Sequence, residues 1–166
     1  MRHELTEHDI RKMEEEIEHR KVVVRQELLA QVKTARAHGD LSENFEYHAA
    51  KKEKNINESR IRYLERMIRN SVIVKEEKEE GTVGINTAVD LYFEEDGETD
   101  TFYVVTTVLA DPMMNRVSIE SPIGSSLKGH RTGDRVKIQA GPESGYYVRI
   151  ESVRPFSDED LAINRF

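Results

Sequence analysis

Three carboxylates, Asp40, Glu43 and Glu46, fall within seven residues of the segment Ala37-His38-Gly39-Asp40-Leu41-Ser42-Glu43-Asn44-Phe45-Glu46-Tyr47-His48-Ala49-Ala50-Lys51. Carboxylate oxygens are hard ligands that suit Mg²⁺. That ion commonly takes only one or two protein carboxylates and completes its shell with water and substrate phosphates. The same spacing has a purely structural reading. Asp40 with Glu43 three residues on fits an Asp variant of the capping box, and acids in a first helical turn complement the helix dipole. On spacing alone the cap is the stronger reading, and both hold only if a carboxylate leaves its cap when a metal arrives. Arg36, Lys51 and Lys52 flank the acids, either as solvated charge or as phosphate contacts, which add salt-sensitive affinity without reading sequence. Tyr47 packs in a seam or, alternatively, stacks on a base. His38 and His48 have no soft-ligand cluster beside them and read as surface residues. No Ser-His-Asp arrangement and no phosphate-binding glycine loop stands out.

The elements that must position this cluster are helices. Residues 6–75 contain no Pro, and Gly39 is their only Gly. Thr6 is a plausible N-cap with Asp9 three residues later. Apolar residues follow at Ile10, Met13, Ile17, Val24, Leu28, Val32 and Ala35, a single stripe along a long helix. Gly39 suits the left-handed residue that closes such a helix. A second stripe runs Tyr47, Ala50, Lys54, Asn57, Ile61, Leu64, Ile68, a regular heptad with two polar members. Two long helices joined by a tight link predict an antiparallel hairpin with residues 39–42 at its tip. At 1.5 Å per residue the arm is roughly 45 Å long.

The pattern changes after Val72-Ile73-Val74, a short strand or helix end, and the charged connector Lys75–Glu80. Residues 85–155 alternate with period two between turns. Expected strands are Ala88–Phe93, Thr101–Val108, Arg116–Ile119, Arg135–Ile138 and Tyr146–Val153. Turns are expected at Glu95–Glu98 and Pro142–Gly145, and a short helix after Ser121-Pro122. The expected fold class is α+β. A helical coiled-coil hairpin (1–75) precedes a small antiparallel β domain (81–156) and a frayed tail (157–166).

Composition sets the outer limits. The 166 residues are 37% hydrophobic and 34% charged, without Cys or Trp. That is polar for one thick core and suits a thin arm plus a small sheet. Without Cys there is no disulfide framework, thiolate metal site or cysteine nucleophile. No apolar run approaches the roughly 20 residues that cross a bilayer, and Met1–Leu5 does not open a secretory signal, so a cytoplasmic protein is expected. Residues 1–75 carry 16 Lys and Arg against 14 Asp and Glu; residues 76–166 carry 9 against 18. The net charge of -7 argues against a general duplex-DNA binder.

The segment Gly39–Lys51 resembles the tip motif of the bacterial transcript cleavage factors of the GreA/GreB family, with His48-Ala49-Ala50 nearer the GreA branch. Leu5-Thr6 through Glu16-Ile17, Arg60-Ile61 and Leu64-Glu65 resemble the family's two arm helices. Ser118–Gly129 and Gly133-Asp134-Arg135-Val136 resemble its domain similar to FK506-binding proteins. The chain departs from the family at Phe45, where a small residue is usual, and after Thr6, where a Gly is usual. The resemblance implies a monomeric transcription elongation factor that docks on RNA polymerase through the sheet domain and inserts its arm through the secondary channel. Asp40 and Glu43 would help hold a shared Mg²⁺ there, and the polymerase would hydrolyse the 3′ portion of backtracked nascent RNA. Arg36, Lys51 and Lys52 would contact the RNA 3′ end. Two other readings are an inhibitory paralogue occupying the same channel, against which the two tip acids speak, and a prolyl isomerase or chaperone, for which a sheet half without Trp offers little.

Overall fold

A computed structural model describes residues 2–39 and 44–165. The chain divides into two compact units, with the boundaries between Asp9 and Ile10 and between Asn70 and Ser71. The elements, in order, are β1 (His3–Leu5), α1 (Glu7–His19), a π-helical turn (Arg20–Val24), α2 (Arg25–Arg36), α3 (Phe45–Arg69), β2 (Ser71–Ile73), β3 (Thr87–Phe93), β4 (Glu98–Val105), β5 (Arg116–Ser118), α4 (Pro122–Leu127), β6 (Arg135–Gln139) and β7 (Gly145–Pro155).

The helical unit is an antiparallel hairpin held by a mixed seam. Of the first stripe, Met13 and Ala35 are buried and the rest half-buried. On α3 the buried residues are Tyr47, Ala50, Asn57, Ile61, Leu64 and Met67, so Met67 is buried more fully than Ile68. The middle of the seam is ionic. The Glu16 carboxylate accepts from Arg20 at 2.7 Å and from Arg60 at 2.7 and 3.1 Å. Arg20 donates to Asn57 Oδ1 at 3.0 Å, and Asn57 Nδ2 donates to the Arg20 carbonyl at 3.3 Å. A bidentate Arg25–Glu58 pair and a Lys21–Glu65 pair add two more cross-helix ion pairs. Burial works against ionisation of Glu16, but hydrogen bonds from Arg60 and Arg20 outweigh it and lower the carboxyl below its usual range.

The π turn lies in this ionic stretch, where the Arg25 N–H bonds back to the Arg20 carbonyl. The skip in the first stripe from Ile17 to Val24 spans it. Past it, α2 is an ordinary helix to Arg36.

In the sheet unit the five-stranded order is β5-β4-β3-β7-β6. Three ladders are antiparallel and β4 pairs with β5 in parallel. The all-antiparallel expectation is corrected at this edge. Thr107–Leu109 and Pro112–Met114 form 3-10 turns that carry the chain across, so β5 returns in the direction of β4. They also end the strand expected over Thr101–Val108 at Val105. The core is apolar, with Val83, Val89, Leu91, Val104, Ile119, Leu127, Val148 and Ile150 essentially inaccessible to solvent. Ser121 caps α4 by accepting from the Gly124 N–H at 3.1 Å, with Pro122 in the first turn. A Cβ on Gly124 would lie 2.0 Å from the Ser118 carbonyl oxygen, so only glycine lets this helix approach β5 so closely.

Two expected boundaries move. Helix α3 ends at Arg69, and Ser71–Ile73 forms a strand parallel to His3–Leu5. Residues 2–9 and 71–75 therefore belong with the sheet and not with the 1–75 hairpin. The reason is local: Val72 and Ile73 are β-branched and find a free edge on His3–Leu5. Thr6 and Asp9 form the expected reciprocal cap, at 3.1 and 3.2 Å, and Asp9 also accepts from Thr106 at 2.8 Å. The tail is held instead of frayed. The Asn164 N–H donates to Val108 O at 2.7 Å and its side chain to Thr107 O at 2.9 Å.

Candidate functional site

The tip of the arm is built from the end of α2 and the start of α3. Helix α2 closes through Ala37 and His38, and Gly39 has φ +115, a backbone conformation that favours glycine. Asn44 is the N-cap of α3: its Oδ1 accepts from the Tyr47 N–H at 3.0 Å. Its Nδ2 donates to the Ala35 carbonyl at 2.7 Å, which also accepts from the His38 N–H at 3.2 Å, so one side chain caps α3 and ties it to the end of α2. The cap reading of Asp40 is corrected accordingly, because α3 starts at Phe45 and Asn44 occupies the cap position. Asn is as good an N-cap as Asp, and its amide also donates, which a carboxylate cannot do.

Asp40 and Glu43, the sequence-predicted catalytic and Mg²⁺-binding pair, lie outside the described residues. The third acid of the cluster, Glu46, is engaged by His38, whose Nδ1 is 3.1 Å from Glu46 Oε2 at the surface. Among the described residues no group of three or more His, Cys, Asp or Glu side chains is placed to hold a metal.

The flanking residues fall in two sets. Arg36 lies over the Tyr47 ring, 5.6 Å from its centroid, and a hydrogen bond from Arg36 lowers the Tyr47 hydroxyl below its usual pKa. Tyr47 is only 9% exposed and takes the edge of His48 at 5.4 Å. Its ring is thus spent on the seam, leaving little of it for a base. Lys51 and Lys52 are exposed. Phe45, first residue of α3, is 86% exposed, the most open aromatic among the large apolar side chains of the arm. Sequence reasoning missed the role of Asn44. The signal was available, since Asn44 stands three residues before the first seam residue, Tyr47, as a cap should.

With this arm and sheet in view, two family models cover the chain. Residues 3–73 match the model described as "Transcription elongation factor, N-terminal", and residues 77–155 match "Transcription elongation factor, GreA/GreB, C-term". The chain belongs to the GreA/GreB family of transcription elongation factors. It is 43% identical over 151 residues to transcription elongation factor GreA of Geobacillus kaustophilus, covering 90% of this chain and 95% of that one. It is 42% identical over 152 residues to transcription elongation factor GreA of Bacillus cereus strain AH187, with the same coverage. Among solved structures it matches the crystal structure of GreA factor homolog 1 of Thermus thermophilus at 25% identity and a TM-score of 0.44, over 93% of this chain and 99% of that one. Among the described residues no helix is long and apolar enough to cross a membrane.

Proposed function

We propose that this chain is an RNA-polymerase-binding accessory factor whose arm carries Asp40 and Glu43 into the polymerase's active centre to stimulate hydrolysis of backtracked RNA. The observation that supports it most is the pair of hydrogen bonds made by Asn44. It ties the end of α2 to the start of α3, so both flanks of the link that bears the two acids are fixed. Anchored flanks limit the entropy lost when a short acidic link enters a shared site.

The donor chemistry fits a shared Mg²⁺ better than a resident one. Asp40 and Glu43 are hard oxygen donors, Glu46 is occupied by His38, and the described residues add no further ligand cluster. When bound with substrate phosphate, such an ion neutralises charge at the attacked phosphodiester. The chain itself supplies two carboxylates and, in Arg36, Lys51 and Lys52, cations for the phosphates of the RNA 3′ end. The bond-breaking machinery is the polymerase's, and the sheet unit, through Ser121–Gly129, docks the factor on it. The factor works in the cytoplasm as a monomer.

The test is a cleavage assay on stalled, backtracked elongation complexes. Asp40→Asn and Glu43→Gln are expected to lower stimulated cleavage at least tenfold while polymerase binding stays within twofold. Because Asn44 caps α3, helix fraying does not confound these variants. Parent-like cleavage by both variants would defeat the reading.

A further inference from the structure

The sheet has an outer face that the tip chemistry does not use. Val89, Leu91, Val136, Ile138, Val148 and Ile150 point to the core, so their strand neighbours point outward. The register aligns these neighbours in rows: Arg154 beside Ala88, Ser152 beside Asp90, Arg149 beside Tyr92 and Arg135, and Tyr147 beside Lys137. Tyr103 and Arg116 pair at the other side. Residues 76–166 hold nine Lys and Arg against eighteen acids. Five of those nine cations, Arg116, Arg135, Lys137, Arg149 and Arg154, share this one face. Two of these cations are already paired on the face, Arg154 with Asp90 at 2.6 Å and Arg116 with Asp111, opposite it, at 3.2 Å. The exposed Glu151 follows Ile150 on β7, and Glu94 stands just past the end of β3.

Aromatic rings are interleaved with the cations. The Arg135 guanidinium lies 3.6 Å from the centroid of Tyr147, and that of Arg149 lies 5.3 Å from the centroid of Tyr92. Both arginines lean on one carboxylate, with Arg135 Nε 2.9 Å and Arg149 Nε 3.8 Å from Glu94. Even so, the two side chains stay more than half exposed, at 55% and 56%. A guanidinium stacked on tyrosine is a flat cation with one face covered and one face open. That open face can stack on a nucleobase, and the remaining N–H edge donates to a phosphate. An acidic peptide would satisfy the charge but has no use for the stacked planes.

We propose that the outer face of the sheet, centred on the Tyr147–Arg135 and Tyr92–Arg149 stacks with Lys137 beside them, is a second nucleic-acid surface that binds single-stranded RNA. A transcription elongation factor acts where a nascent single-stranded transcript is present, and that strand offers both exposed bases and phosphates. The surface shares no residue with the tip, so its failure and the failure of the tip reading are read in different assays.

The test uses the full chain and a fluorescein-labelled single-stranded U15 RNA, followed by fluorescence anisotropy. The Arg135→Ala/Arg149→Ala variant is expected to weaken binding at least tenfold. Lys137→Glu leaves the Glu94 pairs in place and is expected to weaken it several-fold, which guards against a folding artefact in the double variant. For three cations the slope of log Kd against log salt is expected near 2, at about 0.7 per phosphate contact on single strands. An Arg135→Lys/Arg149→Lys variant keeps charge but loses the planes, and it too is expected to bind several-fold more weakly. Parent-like binding by the Lys137→Glu and double-Ala variants would overturn the proposal, as would loss of binding confined to Arg36→Ala/Lys51→Ala/Lys52→Ala. Parent-like binding by the double-Lys variant overturns the stacking that the proposal rests on. Displacement of the RNA by polyglutamate at equal residue concentration would assign the face to an acidic protein instead.

Discussion

Midway along the arm, Asn57 is buried to 2% exposure and the Glu16 carboxylate is clasped by two guanidinium groups; at the centre of the sheet, Leu91 and Ile150 pair across adjacent strands with no polar atom between their side chains. A two-helix arm has no third layer to bury an apolar stripe, so its seam recruits charge and amide groups. Such groups specify register at a cost in stability. A five-stranded sheet with a helix on one face encloses its core and needs no such device. The arm is therefore the part of the molecule that ionic conditions should loosen, and the sheet is the part they should leave alone.

The largest expected effect tests the sheet half of that contrast. Ile150→Ala should cost about 2–5 kcal/mol, as for large-to-small changes in tight cores, and the loss should be the same in 50 mM and 500 mM salt by denaturant titration. A loss that varies with salt would blur the contrast. Glu16→Gln tests the arm half. It should cost about 1.5–3 kcal/mol of arm stability, the range for hydrogen bonds to a charged group, and hydrogen exchange should quicken in 10–36 and 45–69 but not in the sheet. Because the Glu16 carboxyl is lowered in the folded arm, its contribution is present above the usual carboxylate range and lost as pH falls through the folded value.

Asp90 is the sheet's own ionic feature and sharpens the comparison. Hydrogen bonds from Arg154, Ser152 and Thr101 hold it at about 2, against 3.8 for an ordinary Asp. Its contribution is present above pH 3.8 and lost on acidification toward 2. Asp90→Asn should thus cost about 1 kcal/mol at neutral pH, scaled down because the site is partly exposed. The gap to the parent should close between pH 4 and 2. The last effect, of similar size, belongs to the tip. Asn44→Ala should cost about 1 kcal/mol by loss of a cap, whereas Asn44→Asp should keep the cap and lose only the bond to Ala35. Faster exchange near Ala35–His38 in the Asp variant, with α3 unchanged, would show that the tether acts separately from the cap.

Period and punctuation made most of the fold legible. The helical stripes named the seam nearly residue by residue, and the period-two runs located all five strands of the main sheet. What escaped had weak or competing signals. His3–Leu5 and Ser71–Ile73 are three-residue strands, too short to show alternation, and they form only because each supplies the other's edge. Asp40-x-x-Glu43 fitted the capping pattern as well as Asn44 did, and only the helix start at Phe45 decides between them. The parallel β5 edge depends on two 3-10 turns that sequence periodicity does not distinguish from strand. The basic-aromatic outer face was hidden because its members are spread over five strands, from Tyr92 to Arg154, and only register brings them together. Asp40 and Glu43 were legible as a motif, and they lie outside the described residues.

The π turn at Arg20–Val24 works as a phase corrector. Stepping alternately by three and four from Ile10 reaches Val24 and then Glu27, Gln31 and Thr34, all of which are exposed. The residues that do face the seam are Leu28, Val32 and Ala35, each one place later. The sequence therefore contains one residue too many for an unbroken heptad, and a turn that winds an extra residue takes it up. Removing a single residue there, such as Val22 at the exposed side of the turn, should return the arm to one continuous α-helix. Leu28, Val32 and Ala35 would keep their places in the seam, and the clasp of Arg20 on Asn57 would no longer have a widened turn to reach from.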